Sequence, residues 1–182
     1  MPLLATLPSK ESGVRYRLEG YLFPATYNYG KDTTVKEMID QMLAAMDQNL
    51  SPYYETLESK NINVNEVLTL ASLVEKEGAT DQDRKDIASV FYNRLNQDMP
   101  LQSNIAILYA EGKLGQKTTL KEDATINTEL DSPYNIYKNT GLMPGPVDNP
   151  GVSAIEAAVN PSKTDYLYFV ANVENGEVFF AK

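Results

Sequence analysis

The 182-residue chain has no cysteine and no histidine. Together these absences remove thiol nucleophiles, Ser-His-Asp triads, the usual zinc sites and imidazole acid–base chemistry. The lack of cysteine fits a protein outside the cytoplasm and many inside it, so it leaves the compartment open. No apolar run approaches the roughly 20 residues of a membrane-spanning helix. The opening Met1-Pro2-Leu3-Leu4-Ala5 is too short for a signal peptide and lacks its basic flank. The chain therefore reads as soluble, or as a soluble piece of something longer. Positive charge is also scarce: 16 Lys and Arg stand against 25 Asp and Glu, giving a formal net charge of −9 and a pI near 4.5. With no Lys/Arg cluster, a broad nucleic-acid surface is not expected. Catalysis, if there is any, falls to carboxylates and tyrosines.

What is present suits one folded domain, with 42% hydrophobic and 23% charged residues. Residues 1–18 show no period and are expected to be an N-terminal connecting segment; residues 19–182 are expected to be the working domain. Glu19-Gly20-Tyr21-Leu22-Phe23-Pro24 reads as a short aromatic strand or loop stopped by proline. Thr34 with Glu37 and Asn63 with Glu66 have capping-box spacing, predicting helices over about 34–49 and 64–78. Thr80 with acidic Asp81 and Asp83 opens a third helix, and a shorter one is expected over about 103–111. Residues 131–151 hold four prolines and three glycines around Tyr134 and Tyr137, which predicts a long ordered loop of the kind that often carries function. Ser153 with Glu156 is expected to cap a last helix ended by Pro161. Tyr166 to Val170 reads as a buried strand, and Asn175-Gly176 as the type I′ turn of a hairpin returning over Glu177 to Ala181. The elements expected are thus several helices followed by one small antiparallel hairpin.

The 64–78 helix is the most apolar element. Its wheel leaves Lys76, Thr69, Asn65 and Ser72 as a wet strip and puts Glu75 and Glu77 on opposite flanks of the buried arc, Glu77 nearer its centre. A carboxyl in partly apolar surroundings at a helix C-terminus has its pKa raised, as a general acid working near neutral pH requires. By pattern alone the same residues also read as an ordinary charged helix end, and the pattern leaves both readings open.

A set of ordered motifs carries a resemblance. Leu70-Ala71-Ser72-Leu73-Val74-Glu75-Lys76-Glu77, Ala88-Ser89-Val90-Phe91-Tyr92-Asn93-Arg94-Leu95, Leu101-Gln102-Ser103-Asn104, Tyr134-Asn135-Ile136-Tyr137, Gly141-Leu142-Met143-Pro144-Gly145-Pro146 and Tyr166-Leu167-Tyr168-Phe169-Val170 are similar to motifs of the YceG-like (MltG) family of endolytic murein transglycosylases. Glu19 to Pro24 resembles that family's opening motif, so the likeness runs in order over nearly the whole chain. Where the family often has Gln-Thr-Asp, this sequence has Gln102-Ser103-Asn104. The resemblance implies a single α+β catalytic domain, its helices packed with a small antiparallel hairpin, at the extracytoplasmic face of the membrane, held in the full protein by an N-terminal membrane helix and preceded by a LysM-like lobe. Neither is present in these residues, and the family's tail beyond the last strand is also missing, so the chain is expected to be an excised catalytic domain.

The activity the resemblance implies is cleavage of the β-1,4 bond between N-acetylmuramic acid and N-acetylglucosamine inside peptidoglycan strands, leaving 1,6-anhydro-muramic ends. It needs no cofactor and no metal. Lytic transglycosylases of other families place the catalytic glutamate just before a small residue at a helix end, which points to Glu77 before Gly78, with Glu75 as the close alternative. Tyr134, Asn135 and Tyr137 are expected to meet sugar rings, with Gln102 and Glu19 as further cleft residues. Arg94 is either a partner of one glutamate or a solvated helix-face arginine. The implied partners are glycan strands and the cell-wall synthesis machinery. Two other readings remain: a hydrolytic muramidase using Asp131, Asp148 or Glu19 as second carboxylate, and a glycan-binding or scaffold module without chemistry.

Overall fold

The computed structural model describes residues 2–115, 126–172 and 175–182. Helix α1 (Val35–Leu50) opens on a full capping box between Thr34 and Glu37. A short α2 (Tyr54–Ser59) follows, and α3 (Val64–Glu77) starts on the Asn63–Glu66 capping box. Helix α4 (Asp81–Leu95) has its own box between Thr80 and Asp83. The short α5 (Asn104–Ala110) is capped by Ser103, and α6 (Val152–Val159) precedes an antiparallel pair, β1 (Tyr168–Ala171) and β2 (Val178–Ala181). Apart from α2, for which no signal was read, these are the predicted elements, shifted by a residue or two at their ends. No helix among the described residues is long and apolar enough to cross a membrane.

Helix α3 is the axis of the fold, packed by α4 and α6, which also pack on each other. Every residue from Val67 to Val74 is buried, including Thr69 and Ser72. Of the wet strip expected on this helix, Thr69 and Ser72 are covered, Asn65 is half-buried and Lys76 stays exposed. The Ser72 hydroxyl accepts the N–H of Val147 at 3.0 Å and donates to the Thr69 carbonyl, while Asn65 donates to the Pro144 carbonyl and accepts from the Tyr21 hydroxyl. Polar side chains on α3 thus hold down the proline-rich loop that lies over it. A wheel cannot see this, because burial under a loop leaves no period.

Gly78 ends α3, though not as a left-handed cap: its φ of −101° is extended. Glycine is needed there because a Cβ would fall 2.6 Å from Arg84 Cγ and 3.0 Å from the Arg84 amide, so α4 can turn back directly against the end of α3. Residues 2–18 pack on the domain, with Leu3 fully buried and the Thr6 hydroxyl accepting the Asn65 N–H. Of the two readings for residues 19–24 the loop is the one formed, rich in turns and with Tyr21 fully buried. Glycine is needed at position 20 on two counts: its φ of +88° is left-handed, and a Cβ would come 2.2 Å from the Pro146 ring.

Three expectations at the C-terminal end are corrected. Ser153 does not cap α6: its hydroxyl donates to Asp81 Oδ1 and accepts from Arg84, tying α6 to α4, and Gly151 takes the cap position. The hairpin strand is not buried: Phe169 packs edge-on against Phe91 and beside Phe180, while Tyr168 and Val170 are 49% and 64% exposed. With one covered face, an apolar run of residues need not mean a two-sided core strand. The connection is also wider than a two-residue turn: Ala171 pairs with Val178, and the Asn172 N–H donates to the Glu177 carbonyl. Residues 173 and 174 of that connection lie outside the described residues.

Candidate active site

The last turn of α3 presents three polar residues in three directions. Glu77 keeps part of its surface open, yet burial dominates the environment of its carboxyl and raises its pKa above the ordinary glutamate value. One hydrogen bond opposes that shift: the Ser103 hydroxyl donates to Glu77 Oε1 at 2.6 Å. Tyr137 lies close enough for the Glu77 charge to raise its phenol pKa, after desolvation as the larger cause. The Tyr137 hydroxyl in turn donates to Asn104 Oδ1 at 2.5 Å. Glu77, Ser103, Asn104 and Tyr137 thus form one cluster, assembled from the end of α3, the start of α5 and the proline-rich loop.

Glu75, two residues earlier, faces away from that cluster. Its Oε2 accepts a long 3.4 Å bond from the Gly151 N–H, and it lines an open pocket with Phe23, Tyr27, Met42 and Asp148. Lys76 lies between the two and pairs with Asp148 at 2.6 Å, with each side chain about one third exposed. A pair that open contributes at most about 1 kcal/mol. On the Lys76 side runs a second groove of about 330 Å³, lined by Arg15, Tyr16, Glu19, Tyr109 and Asp148.

The other sequence-predicted site residues divide sharply. Tyr137 is half-buried at the cluster, and Gln102 is exposed beside it, one residue before Ser103. Tyr134 and Asn135 are 4% and 0% exposed. Asn135 spends its amide on the carbonyls of Thr128 and Leu130, and its Oδ1 accepts the Tyr137 N–H, so it folds the loop that delivers Tyr137. The Tyr134 ring packs on Tyr109 at 4.8 Å, with no open face for a sugar. Glu19 is separate from Glu77 and lines the second groove. It accepts a very short bond from the Tyr109 hydroxyl, and its pKa is raised, chiefly by burial and further by Asp148.

Arg94 is neither solvated nor paired with a glutamate. It is 7% exposed, its Nε donates to the Leu167 carbonyl at 2.6 Å, and Nη1 donates to the carbonyls of Leu101 and Pro100. Its guanidinium also lies 5.2 Å from the Tyr168 ring centre. Arg94 therefore staples the segment before α5 to the hairpin. Nothing in the sequence assigned a role to Ser103, Asn104 or Tyr109. Ser103 could have been found as the cap residue before a short apolar helix, but a cap signal carries no information about a glutamate 26 residues earlier.

A model of the YceG-like family matches residues 4–182. The chain belongs to the YceG-like family. This YceG-like chain is 68% identical over 179 residues to an endolytic murein transglycosylase of Streptococcus pneumoniae serotype 2 (strain D39 / NCTC 7466), a match that takes in 98% of this chain and 32% of that protein. It is 47% identical over 170 residues to an endolytic murein transglycosylase of Bacillus subtilis (strain 168), covering 93% of this chain and 46% of that one. A crystal structure of a yceG-like protein from Listeria monocytogenes has the same architecture, with a TM-score of 0.84 at 46% identity over 99% of this chain and 55% of the other. The chain thus spans about a third of the pneumococcal relative and under half of the Bacillus one. The family match begins at residue 4 and so takes in most of the segment before residue 19.

Proposed function

We propose that this chain is the catalytic part of an endolytic lytic transglycosylase, that Glu77 is its single acid and base, and that its substrate is the peptidoglycan glycan strand. The observation that carries this reading is the Glu77 carboxyl: desolvated, raised in pKa and gripped by one hydroxyl, at the end of the most buried helix of a YceG-like chain. Relatives sharing 68% and 47% of its residues are named endolytic murein transglycosylases.

Protonated Glu77 gives its proton to the glycosidic oxygen between N-acetylmuramic acid and N-acetylglucosamine, and the C1–O bond breaks through an oxocarbenium-like state. The muramic C6 hydroxyl then attacks C1, and its proton goes to the Glu77 carboxylate. The ring closes as a 1,6-anhydro sugar, no water is consumed, and the acid is regenerated. A raised pKa suits both halves: the group is still protonated where the first step needs an acid, and its anion is basic enough for the second. In this reading Tyr137 and Gln102, at the mouth of the cluster, are the side chains that meet the sugar. The reading places the enzyme at the extracytoplasmic face of the membrane, acting beside the cell-wall synthesis machinery.

Mass spectrometry of glycan strands digested by the purified protein tests it. New 1,6-anhydro-muramic ends are the expected product. Reducing muramic ends would instead mean hydrolysis, and intact strands would remove the enzymatic reading.

A further inference from the structure

The sequence gives no reason for the residue before α5 to do more than cap a helix. In the structure Ser103 is 3% exposed and has two bonds of opposite sense: its Oγ accepts the Ile105 N–H at 3.2 Å and donates to Glu77 Oε1 at 2.6 Å. A hydroxyl has one proton to give. With that proton on Oε1, the acid proton of Glu77 is left to Oε2. Resting on the function proposed above, we propose that Ser103 is a positioning residue that reserves Oε1 as an acceptor, so that both proton transfers run through Oε2.

The chemistry follows in balance. In the first step the Oε2 proton moves to the glycosidic oxygen as the C1–O bond breaks, leaving a carboxylate. The Ser103 bond becomes charge-assisted and stronger at that moment, so it favours the ionised state that the transition state approaches. In the second step Oε2, still free, takes the C6 hydroxyl proton as the C6 oxygen closes on C1. One oxygen gives and receives on one side of the sugar, without rotation of the carboxyl between steps.

The backbone before Ser103 is built to aim it. Gln102 adopts φ +56°, a left-handed conformation uncommon for a residue with a long side chain. Its N–H is fixed on the Ile136 carbonyl at 3.0 Å, and the preceding Leu101 carbonyl is held by Arg94 at 2.9 Å. Strain of this kind persists only where surrounding bonds over-determine it. Tyr137, from the proline-rich loop, is a titratable side chain that the Glu77 charge acts on, and Arg94 of α4 acts on Tyr137 in the opposite sense; neither replaces the Ser103 bond.

The test titrates the Glu77 carboxyl by carbon NMR in the full chain and compares it with kinetics on glycan strands. Ser103→Ala should raise the Glu77 pKa by about one unit, because a bond to the charged form is lost. The basic limb of kcat/KM should rise by the same amount, and kcat should fall roughly tenfold with KM nearly unchanged. Ser103→Gly, which caps a helix almost as well as serine, should show the same shift, separating the bond from the cap. Ser103→Thr, which keeps the hydroxyl, should restore both readings. An unchanged titration in Ser103→Ala and Ser103→Gly, or failure of threonine to restore it, overturns the inference while an active wild type leaves the proposed function standing. A wild type that forms no anhydro ends removes that function, and the catalytic role of Ser103 with it.

Discussion

Glu75 and Glu77 are the same side chain two residues apart on one helix, and they occupy different media. Glu75 looks into an open pocket beside Phe23 and Tyr27 and holds one long bond to a backbone N–H. Glu77 is desolvated and gripped at 2.6 Å by a hydroxyl from another element. The difference is made by what each flank of α3 meets. The Glu75 flank meets the 20–27 loop, which is pinned by Asn149 Oδ1 accepting the N–H groups of Gly20 and Leu22. The Glu77 flank meets the turn at 100–103, pinned by Arg94. A carboxyl becomes an acid through its environment, and here two packed loops make the two environments differ.

The largest effect expected is on activity. Glu77→Gln should lower kcat by about 1000-fold, the range of a positioned general acid, while Glu75→Gln should stay within about tenfold, as read by release of anhydro ends. Comparable losses from both would erase the distinction between the flanks. Stability should move the other way for Glu77. Its pKa is raised in the folded chain, so the folded state holds a proton that the unfolded state releases. Stability therefore falls as pH rises from the ordinary glutamate range near about 4.3 up through the folded pKa, and is level above it. Glutamine does not titrate, so the melting temperature of Glu77→Gln relative to wild type should climb across that window and then plateau. A constant difference across pH would contradict a desolvated carboxyl.

Each flank can also be broken from behind. Arg94→Met keeps the bulk of the side chain but leaves the buried carbonyls of Leu167, Pro100 and Leu101 without their donor, and should cost about 3 kcal/mol in urea unfolding. Activity should fall more than folding does, since the turn that carries Ser103 loses its anchor. On the other flank, Gly20→Ala meets the Pro146 ring and a left-handed backbone together, and should cost about 2 kcal/mol. Its kcat should hold, because the loop it loosens lies on the Glu75 side. A kcat loss larger for Gly20→Ala than for Arg94→Met would reverse the comparison.

The helices were legible because their signals are local. The boxes at Thr34–Glu37 and Asn63–Glu66, pairs three residues apart in sequence, form as read, and Thr80 opens its helix as expected, whereas the Ser153–Glu156 pair, read the same way, does not cap. The family and the α+β class came from motifs in order, which need no geometry. What lay beyond reading was set by contacts distant in sequence. Arg94 looks like a surface residue on a helix wheel, and only the return of residue 167 and the turn at 100–101 bury it. Asn135 and Tyr134 have the composition of a sugar site, yet the loop folds them into its own interior. Ser72 reads as solvent-facing because the Val147 N–H that it accepts comes from 75 residues later. Glu77 could be singled out as a candidate by its flank and by Gly78, but its partner Ser103 is invisible until α5 docks.

The smallest effect expected is at Gln102, where backbone and side chain can be separated. Its φ of +56° is cheap for glycine and strained for alanine or glutamine. Gln102→Gly should therefore stabilise the fold, by at most about 1 kcal/mol because glycine also gains freedom in the unfolded chain. Gln102→Ala keeps the strain and should leave the melting temperature unchanged. Both lose the side chain at the mouth of the cluster, so KM should rise in both. Only glycine also frees the backbone that aims Ser103, so kcat should fall in Gln102→Gly and hold in Gln102→Ala. If kcat instead falls equally in both, the strained turn matters only for the side chain it displays, and the Glu77 flank is positioned by Arg94 and the Ile136 carbonyl alone.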